Sequence, residues 1–384
     1  MQTQMVVIQP TSFCNLDCTY CYLPNRSLAR RISLQTLEQI FKVLFASPLL
    51  GDEILFLWHA GEPLVLPTSF YEHAFELQQR WNRRGTRITN ALQTNATLIT
   101  QKWCQLFLYH DVHIGVSLDG PPLCHDAKRV DRAGRGTFER VMQGIDLLRV
   151  NAIPYTVISV ITSASVTRPD AFWHFFAELR PRRLGLNPEE VEGVNVSSSL
   201  GSEEGVRQYR AFFQRLLTLN EQSQHPLVIR EVEHVSRFIY SSVRSTCSQT
   251  GTPLAILTFD WAGNFSTFSP ELLTISHPEY HTFLFGNVFA NALQDIDRHP
   301  TFQKVQAQIQ RGIERCAATC AYFPVCGGGF PSNKLCENGT FDSTETMACR
   351  LKIQVPADAL LSHLEQKYHL TPGLPPAEEE IPQE

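Results

Sequence analysis

The sequence has no apolar run long enough to span a membrane. Its first residues lack the basic and apolar regions of a secretion signal. It carries no excess of positive charge: 33 Lys and Arg stand against 38 Asp and Glu, a formal net charge of −5. That balance leaves no electrostatic footprint for nucleic acid. Internal repeats are absent, and so is low-complexity sequence before the Pro- and Glu-rich end, Thr371–Glu384, which reads as a disordered acidic tail. The few residues before residue 5 are not expected to form an extra leader-binding module. These absences set aside membrane, nucleic-acid and repeat classes and make the cytoplasm the expected location. What remains is an ordinary globular composition, 43% hydrophobic and 18% charged over 384 residues, enough for one large domain and a smaller one. Eleven cysteines in a reducing compartment argue for metal or redox use, not disulfides.

Short apolar stretches at 5–8, 53–58, 87–93, 113–118, 154–161 and 183–187 read as strands. Between them, helical periodicity covers 34–46, 68–84, 99–109, 137–150 and 170–179, with Ser33 and Thr68 placed as N-caps. Repeated strand–helix units imply an α/β fold with a parallel sheet, either open and doubly wound or a partial barrel. Active-site groups then belong at the C-terminal ends of the strands. Residues 202–243 are helical in pattern. A hairpin follows, 254–259 with 265–268, then a cysteine-rich stretch, 316–349, and a last helix over 357–367.

The first strand leads into Cys14, Cys18 and Cys21, spaced Cys-x3-Cys-x2-Cys. Three thiolates are one short of a closed structural metal site and leave one iron of a cubane cluster open for chemistry. A zinc knuckle or buried free thiols are the plain alternatives. After the second strand comes His59-Ala60-Gly61-Glu62-Pro63, where a small residue lets the backbone approach a ligand. Thr94 and Asn95 end the third strand, and Ser117, Asp119 and Gly120 end the fourth. Such groups bond a ligand or cap the next helix. Arg140 pairs a carboxylate or faces solvent. Glu189, Glu190 and Glu192 follow the sixth strand and form either an acidic surface loop or a site for a base. His59 reads as a support for a ligand, and His125 and Asp126 as loop-shaping residues.

Cys316, Cys320, Cys326 and Cys349 form a second set in a Gly-rich segment. Four thiols can close a site fully. The spacing lacks the two close pairs of a zinc ribbon, which favours a second four-iron cluster. Cys247 and Cys336 are left over, and Cys104 and Cys124 read as structural thiols.

Taken together, these residues resemble a radical S-adenosylmethionine (SAM) enzyme with a C-terminal SPASM-type cluster domain, over roughly residues 4–350. Tyr20, just before the third cysteine, fits that motif. The stretches Gln9–Cys14, Cys21–Arg26, Glu189–Gly193 and Phe265–Glu271 are similar to the cyclophane-forming peptide maturases of the GrrM/OscB kind. The resemblance implies a partial (β/α)6 TIM-type barrel over 1–225, a SPASM-like domain over 226–350, a C-terminal helix over 351–370 and the tail over 371–384. It implies a [4Fe-4S] cluster on Cys14, Cys18 and Cys21 that binds SAM, with Tyr20, Gly61, Glu62, Pro63, Thr94, Asn95, Ser117 and Arg140 around it. Catalytic residues are unassigned, with Asp119, Glu190 and Glu192 as candidates.

The full SPASM pattern binds two auxiliary clusters. Here Cys316, Cys320, Cys326 and Cys349 match the ligands of the second. For the first, only Cys247 matches, because Phe268 and Phe330 stand where cysteines are expected. The expectation is one auxiliary [4Fe-4S] cluster, with Cys336 as a spare ligand. Anaerobic sulfatase maturases place an acidic base directly after the first of those missing cysteines; this chain has Ser269, which weighs against aldehyde formation. The implied reaction removes a β-hydrogen from a precursor peptide and joins that carbon to an aromatic ring two residues away. The auxiliary cluster takes the second electron, and an external flavodoxin- or ferredoxin-type donor supplies the first. Thioether formation, side-chain oxidation and sulfatase maturation are the alternatives among enzymes. A metal-binding scaffold without turnover is the alternative outside them.

Overall fold

The structure is a computed structural model that describes residues 2–369; the end expected to be a tail, from 371, lies outside the described residues. Six strands follow one another in chain order across one sheet: β1 Thr3–Ile8, β2 Leu50–Trp58, β3 Arg87–Thr94, β4 His113–Ser117, β5 Tyr155–Ile161 and β6 Arg183–Pro188. All neighbouring pairs among them are parallel. Parallel neighbours need a crossover, and each crossover supplies a helix: α1 Leu34–Ala46, α2 Thr68–Trp81, α3 Gln101–Tyr109, α4 Phe138–Val150 and α5 Pro169–Leu179. Of the two arrangements that the strand–helix alternation leaves open, this is the partial α/β barrel that the resemblance implies.

The second half of β1 is buried on both faces, which is why it reads as a continuous apolar run, whereas β5 alternates buried with half-buried residues. Val6, Val7 and Ile8 are fully buried. Helix α1 shows how a helix is fixed. The Ser33 hydroxyl accepts from the Thr36 amide at 3.0 Å, and Leu37, Ile40, Phe41 and Leu44 line the buried face at helical spacing. Fully burying each such side chain contributes roughly 1.5–3 kcal/mol. Thr68 differs from expectation: Pro67 holds the cap position of α2, Thr68 is the first helical residue, and its buried hydroxyl has no partner.

The helical stretch after β6 is two helices, α6 Glu203–Gln222 and α7 Arg230–Ile239. The chain between them lies along the free edge of β6, where the Leu184 amide donates to the Val228 carbonyl at 2.8 Å. A strand edge needs such cover. The hairpin, β7 Ile256–Phe259 and β8 Asn264–Thr267, joins the same sheet, with β7 parallel to β1 on the side away from β2. The sequence does not reveal this pairing, because nothing local couples residues 5–8 with 256–259. Beyond it come α8 Pro300–Thr319, α9 Pro331–Asn338 and α10 Val355–Tyr368. Helix α10 is clasped to α6 by Arg210–Asp358 at 2.8 Å and Lys367–Glu221 at 2.7 Å.

Candidate active site

The cysteine loop leaves the C-terminal end of β1 and meets the loops that leave β2, β3 and β4. Its backbone is held by arginines. Arg26 donates to the Cys18 carbonyl at 2.8 Å, and Arg132 donates to the Cys14 carbonyl at 2.6 and 3.1 Å. Arg129 lies 4.0 Å from the Cys18 sulfur and over the Tyr20 ring at 5.4 Å. The Cys14 sulfur accepts from the Leu16 amide at 3.4 Å, with Asn95 Nδ2 at 3.9 Å. Burial first, then Glu62, pushes the Cys14 thiol up to about 12. Burial, opposed by Arg129, pushes Cys18 up to about 11. Buried thiols ionise only beside compensating positive charge. Arg129 beside the Cys18 sulfur, with the loop backbone held by Arg26 and Arg132, therefore fits an iron–sulfur cluster bound by these thiols.

The turn after β2 closes over this loop. Ala60 and Gly61 both adopt left-handed backbone, at φ 71 and 63. A Cβ on Gly61 would lie 2.6 Å from the carbonyls of Thr11 and Phe13, so only glycine admits the approach. Glu62 is buried and spends its carboxylate on protein. One oxygen accepts from the Leu64 amide at 2.9 Å and the Thr94 hydroxyl at 2.7 Å; the other accepts from the Asn95 amide at 2.8 Å. Burial is the chief cause that raises Glu62 to about 7. Pro63 accepts from the Tyr71 hydroxyl at 2.9 Å. Asn95 also donates to Asn15 at 2.9 Å. Glu62, Thr94 and Asn95 are thus brought together with Cys14. Ser117 stands farther along the rim and accepts from Gln93 at 3.0 Å.

Asp119 is not free to act as a base. It accepts from the Tyr20 hydroxyl at 2.6 Å and the Val160 amide at 2.9 Å, and pairs with Arg129 at 3.0 Å. Arg140 pairs with Asp131 at 3.3 Å and stays partly exposed. Among the guanidiniums it is Arg26, Arg129 and Arg132 that reach the cysteine loop. Nothing in their local sequence marks them, since their targets are backbone carbonyls and sulfurs set by the fold. His59 is lowered to about 4 by burial. His125 is buried, facing the Asp119 amide at 3.3 Å and the Thr137 hydroxyl at 3.0 Å.

The loop after β6 packs on the cysteine loop: the Val194 amide donates to the Tyr22 carbonyl at 3.1 Å, and a Cβ on Gly193 would strike that oxygen at 2.3 Å. Glu189 pairs with Lys128 at 3.3 Å, and Glu190 pairs with Lys352. Glu192 is buried. Burial pushes its carboxyl well above the ordinary range, and the nearby Glu271 and Glu190 push it further. Glu271, raised chiefly by its own burial, was singled out in the sequence only as part of a family-like stretch.

The second thiol set also converges. Cys316, Cys320, Cys326 and Cys349 line one cavity of about 270 Å³. Gly327, Gly328 and Gly329 run consecutively through positive φ and aim the amides of Gly328 and Gly329 at the Cys326 sulfur. Among the described residues no three His, Cys, Asp or Glu side chains meet closely enough for a single metal ion. Four thiols around a cavity suit a polynuclear cluster better than one tetrahedral zinc. Cys247 does not line that cavity; its sulfur accepts from the Thr252 hydroxyl at 3.3 Å. Phe268 is fully buried, its ring stacked on Phe302 at 5.8 Å. Phe330 lines the cavity and carries Lys352 over its ring at 4.8 Å. All eleven cysteines are free.

Comparison with known proteins places these features. The family model described as "Radical SAM superfamily" matches residues 8–174. An uncharacterized protein of Synechocystis, sll1766, is 42% identical over 96% of this chain and 94% of its own length. The serine-type anaerobic sulfatase-maturating enzyme of Bacteroides thetaiotaomicron is 37% identical over 86% of this chain and 83% of its own. In fold, the chain is similar to native anSMEcpe with bound AdoMet and Cp18Cys peptide, at a TM-score of 0.75 and 22% identity, covering 96% of this chain and 97% of that one.

Proposed function

The chain belongs to the radical SAM superfamily, and from that premise we propose that it is a peptide maturase that joins a side-chain β-carbon to an aromatic ring within a ribosomally made precursor. It is an enzyme of radical SAM chemistry, related to the sulfatase-maturating enzymes. Cys14, Cys18 and Cys21 would hold a [4Fe-4S] cluster that binds SAM. Bound there, SAM would supply a 5′-deoxyadenosyl radical for hydrogen-atom abstraction on one-electron reduction. The chain's own part is to fix that loop through Arg26, Arg129 and Arg132, to bring Glu62, Thr94 and Asn95 against it, and to keep solvent from the reacting carbon. Cys316, Cys320, Cys326 and Cys349 would hold one auxiliary [4Fe-4S] cluster. Glu192, buried with Glu271 nearby, would receive the proton that the ring gives up. An external flavodoxin- or ferredoxin-type protein would deliver the first electron.

A peptide substrate is supported by the similar fold of a protein solved with a bound peptide. The choice of a crosslink over an aldehyde rests on Ser269. It stands next to buried Phe268 with a buried hydroxyl that has no partner, and a hydroxyl is no substitute for a carboxylate base. The second reading, maturation of a sulfatase, is favoured by the 37% identity to such an enzyme. A carbonyl-reactive hydrazide separates the two. Peptide processed anaerobically with SAM and reductant should stay unlabelled if it is crosslinked. Stoichiometric labelling at a Ser or Cys position would establish the aldehyde instead.

A further inference from the structure

One buried cation has no place in the chemistry above. Lys334, in the first turn of α9, is 4% exposed and lines the late-cysteine cavity. Its Nζ has two partners: the Gly312 carbonyl at 3.1 Å and the Cys316 sulfur at 3.4 Å. Gly312 and Cys316 are four residues apart on α8 and so share one face. The amine lies across that face, and Gly312 leaves room for it: a Cβ there would come 3.2 Å from Nζ and 2.3 Å from the Phe341 carbonyl. A lysine taken this far from water requires compensating negative charge. Here the group at hand is a sulfur, not a carboxylate.

We infer that Lys334 is a positioning residue that raises the reduction potential of a cluster held by Cys316, Cys320, Cys326 and Cys349. The inference rests on the reading that those thiols hold such a cluster. Its physical basis is direct. One-electron reduction makes the cluster and its thiolates more negative by one charge. An N–H donor aimed at a ligand sulfur inside a low-dielectric site stabilises that added charge. In the proposed reaction the electron comes from the cyclised substrate radical as its ring loses a proton, so a raised potential favours the acceptor role. Among the described residues no other lysine lines this cavity.

The test is an EPR-monitored redox titration of anaerobically purified full-length enzyme, with iron counted on the same samples. The variants are K334M, which removes the donor and the charge, and K334Q, which keeps an N–H. Each is also measured in a C14A/C18A/C21A background, so that only the late cluster gives a signal. The expected result is a negative shift of its midpoint in K334M and a smaller negative shift in K334Q, with the first cluster's midpoint unmoved. Full iron and an unmoved midpoint in both variants would overturn the inference. If K334M loses the late cluster, K334Q decides: a negative shift supports the inference, and a wild-type midpoint leaves Lys334 merely structural and overturns it. Wild-type enzyme with only about four irons per chain would overturn the reading of a late cluster itself, and the role of Lys334 with it.

Discussion

At the residue scale, the site is built from buried polar groups whose partners are backbone and sulfur. Asp119 and Arg129 form the most deeply buried ion pair among them, with side chains 1% and 9% exposed. Removing one member of a buried pair leaves the other uncompensated. Arg129→Leu should therefore destabilise the chain by about 3–5 kcal/mol, read by chemical denaturation, and should also lower iron retention at the first site. His125 gives a pH signature. Burial, then Arg129, lowers it to about 3, whereas the unfolded chain protonates it near pH 6.5, at about the ordinary histidine value. Between those values the unfolded chain holds one proton more than the folded chain. The contribution is therefore complete above about pH 6.5 and is lost as pH falls, by about 1.4 kcal/mol per pH unit within the window. Denaturation at pH 6.0 and 4.5 should show this slope reduced in His125→Gln; an equal slope in both proteins would assign the acid sensitivity elsewhere.

The cysteines, Glu62 and the strand-end residues were legible in the sequence because their identity and position after a strand carry the signal. The roles of Glu62 and Asp119 were not. Residue type fits a ligand contact as well as a structural one, and only the folded chain shows that Glu62 accepts from three protein donors and that Asp119 is saturated by Tyr20, Val160 and Arg129. The same reasoning separates Arg140, singled out for its charge, from Arg129 and Arg132, which reach the cysteine loop.

At the scale of elements, local pattern served well wherever the determinant is local. The six parallel strands and the helix from Leu34 to Ala46 follow from apolar periodicity and the Ser33 cap. What escaped was long-range. The hairpin was read from its turn, but its pairing with β1 depends on residues some 250 positions apart in the chain. The late region bears on the number of clusters. Phe268 lies against Phe302 in an apolar setting, and Cys247 is engaged by Thr252. Phe268→Cys should thus not create a further cluster. Iron should stay near about eight per chain, while the lost aromatic ring costs roughly 3 kcal/mol, measured as a lower melting temperature. An increase toward about twelve irons would mean that the apolar setting conceals a competent ligand set. Between Cys349 and α10 the chain makes a π-helical turn, Arg350–Gln354. It carries Lys352 to Glu190 and Gln354 to within 4.0 Å of the Cys349 sulfur. Such turns have no propensity signal and commonly accompany functional positions.

At the scale of the whole molecule, one sheet anchors both the cysteine loop and the hairpin that precedes the late cysteines. The cysteine loop leaves β1, the hairpin that leads to the late cysteines pairs with β1, and the loop after β6 packs on Tyr22. Among the described residues no helix is long and apolar enough to cross a membrane. The two thiol sets should be separable. Cys349→Ser should remove about half of roughly eight irons while SAM cleavage without peptide persists, because the first three thiols can hold their cluster alone. Loss of all iron would instead mean that the late site is needed to fold the first.

The central claim is the crosslink. Its most direct test is tandem mass spectrometry of a candidate precursor peptide containing aromatic tripeptides, co-expressed with the enzyme without oxygen. The account predicts a loss of about two mass units per site, with no backbone fragments inside an aromatic-containing tripeptide, since one carbon–carbon bond replaces two hydrogens. An unmodified peptide in the presence of intact clusters and SAM cleavage, or the same mass loss with a complete fragment ladder, would contradict it.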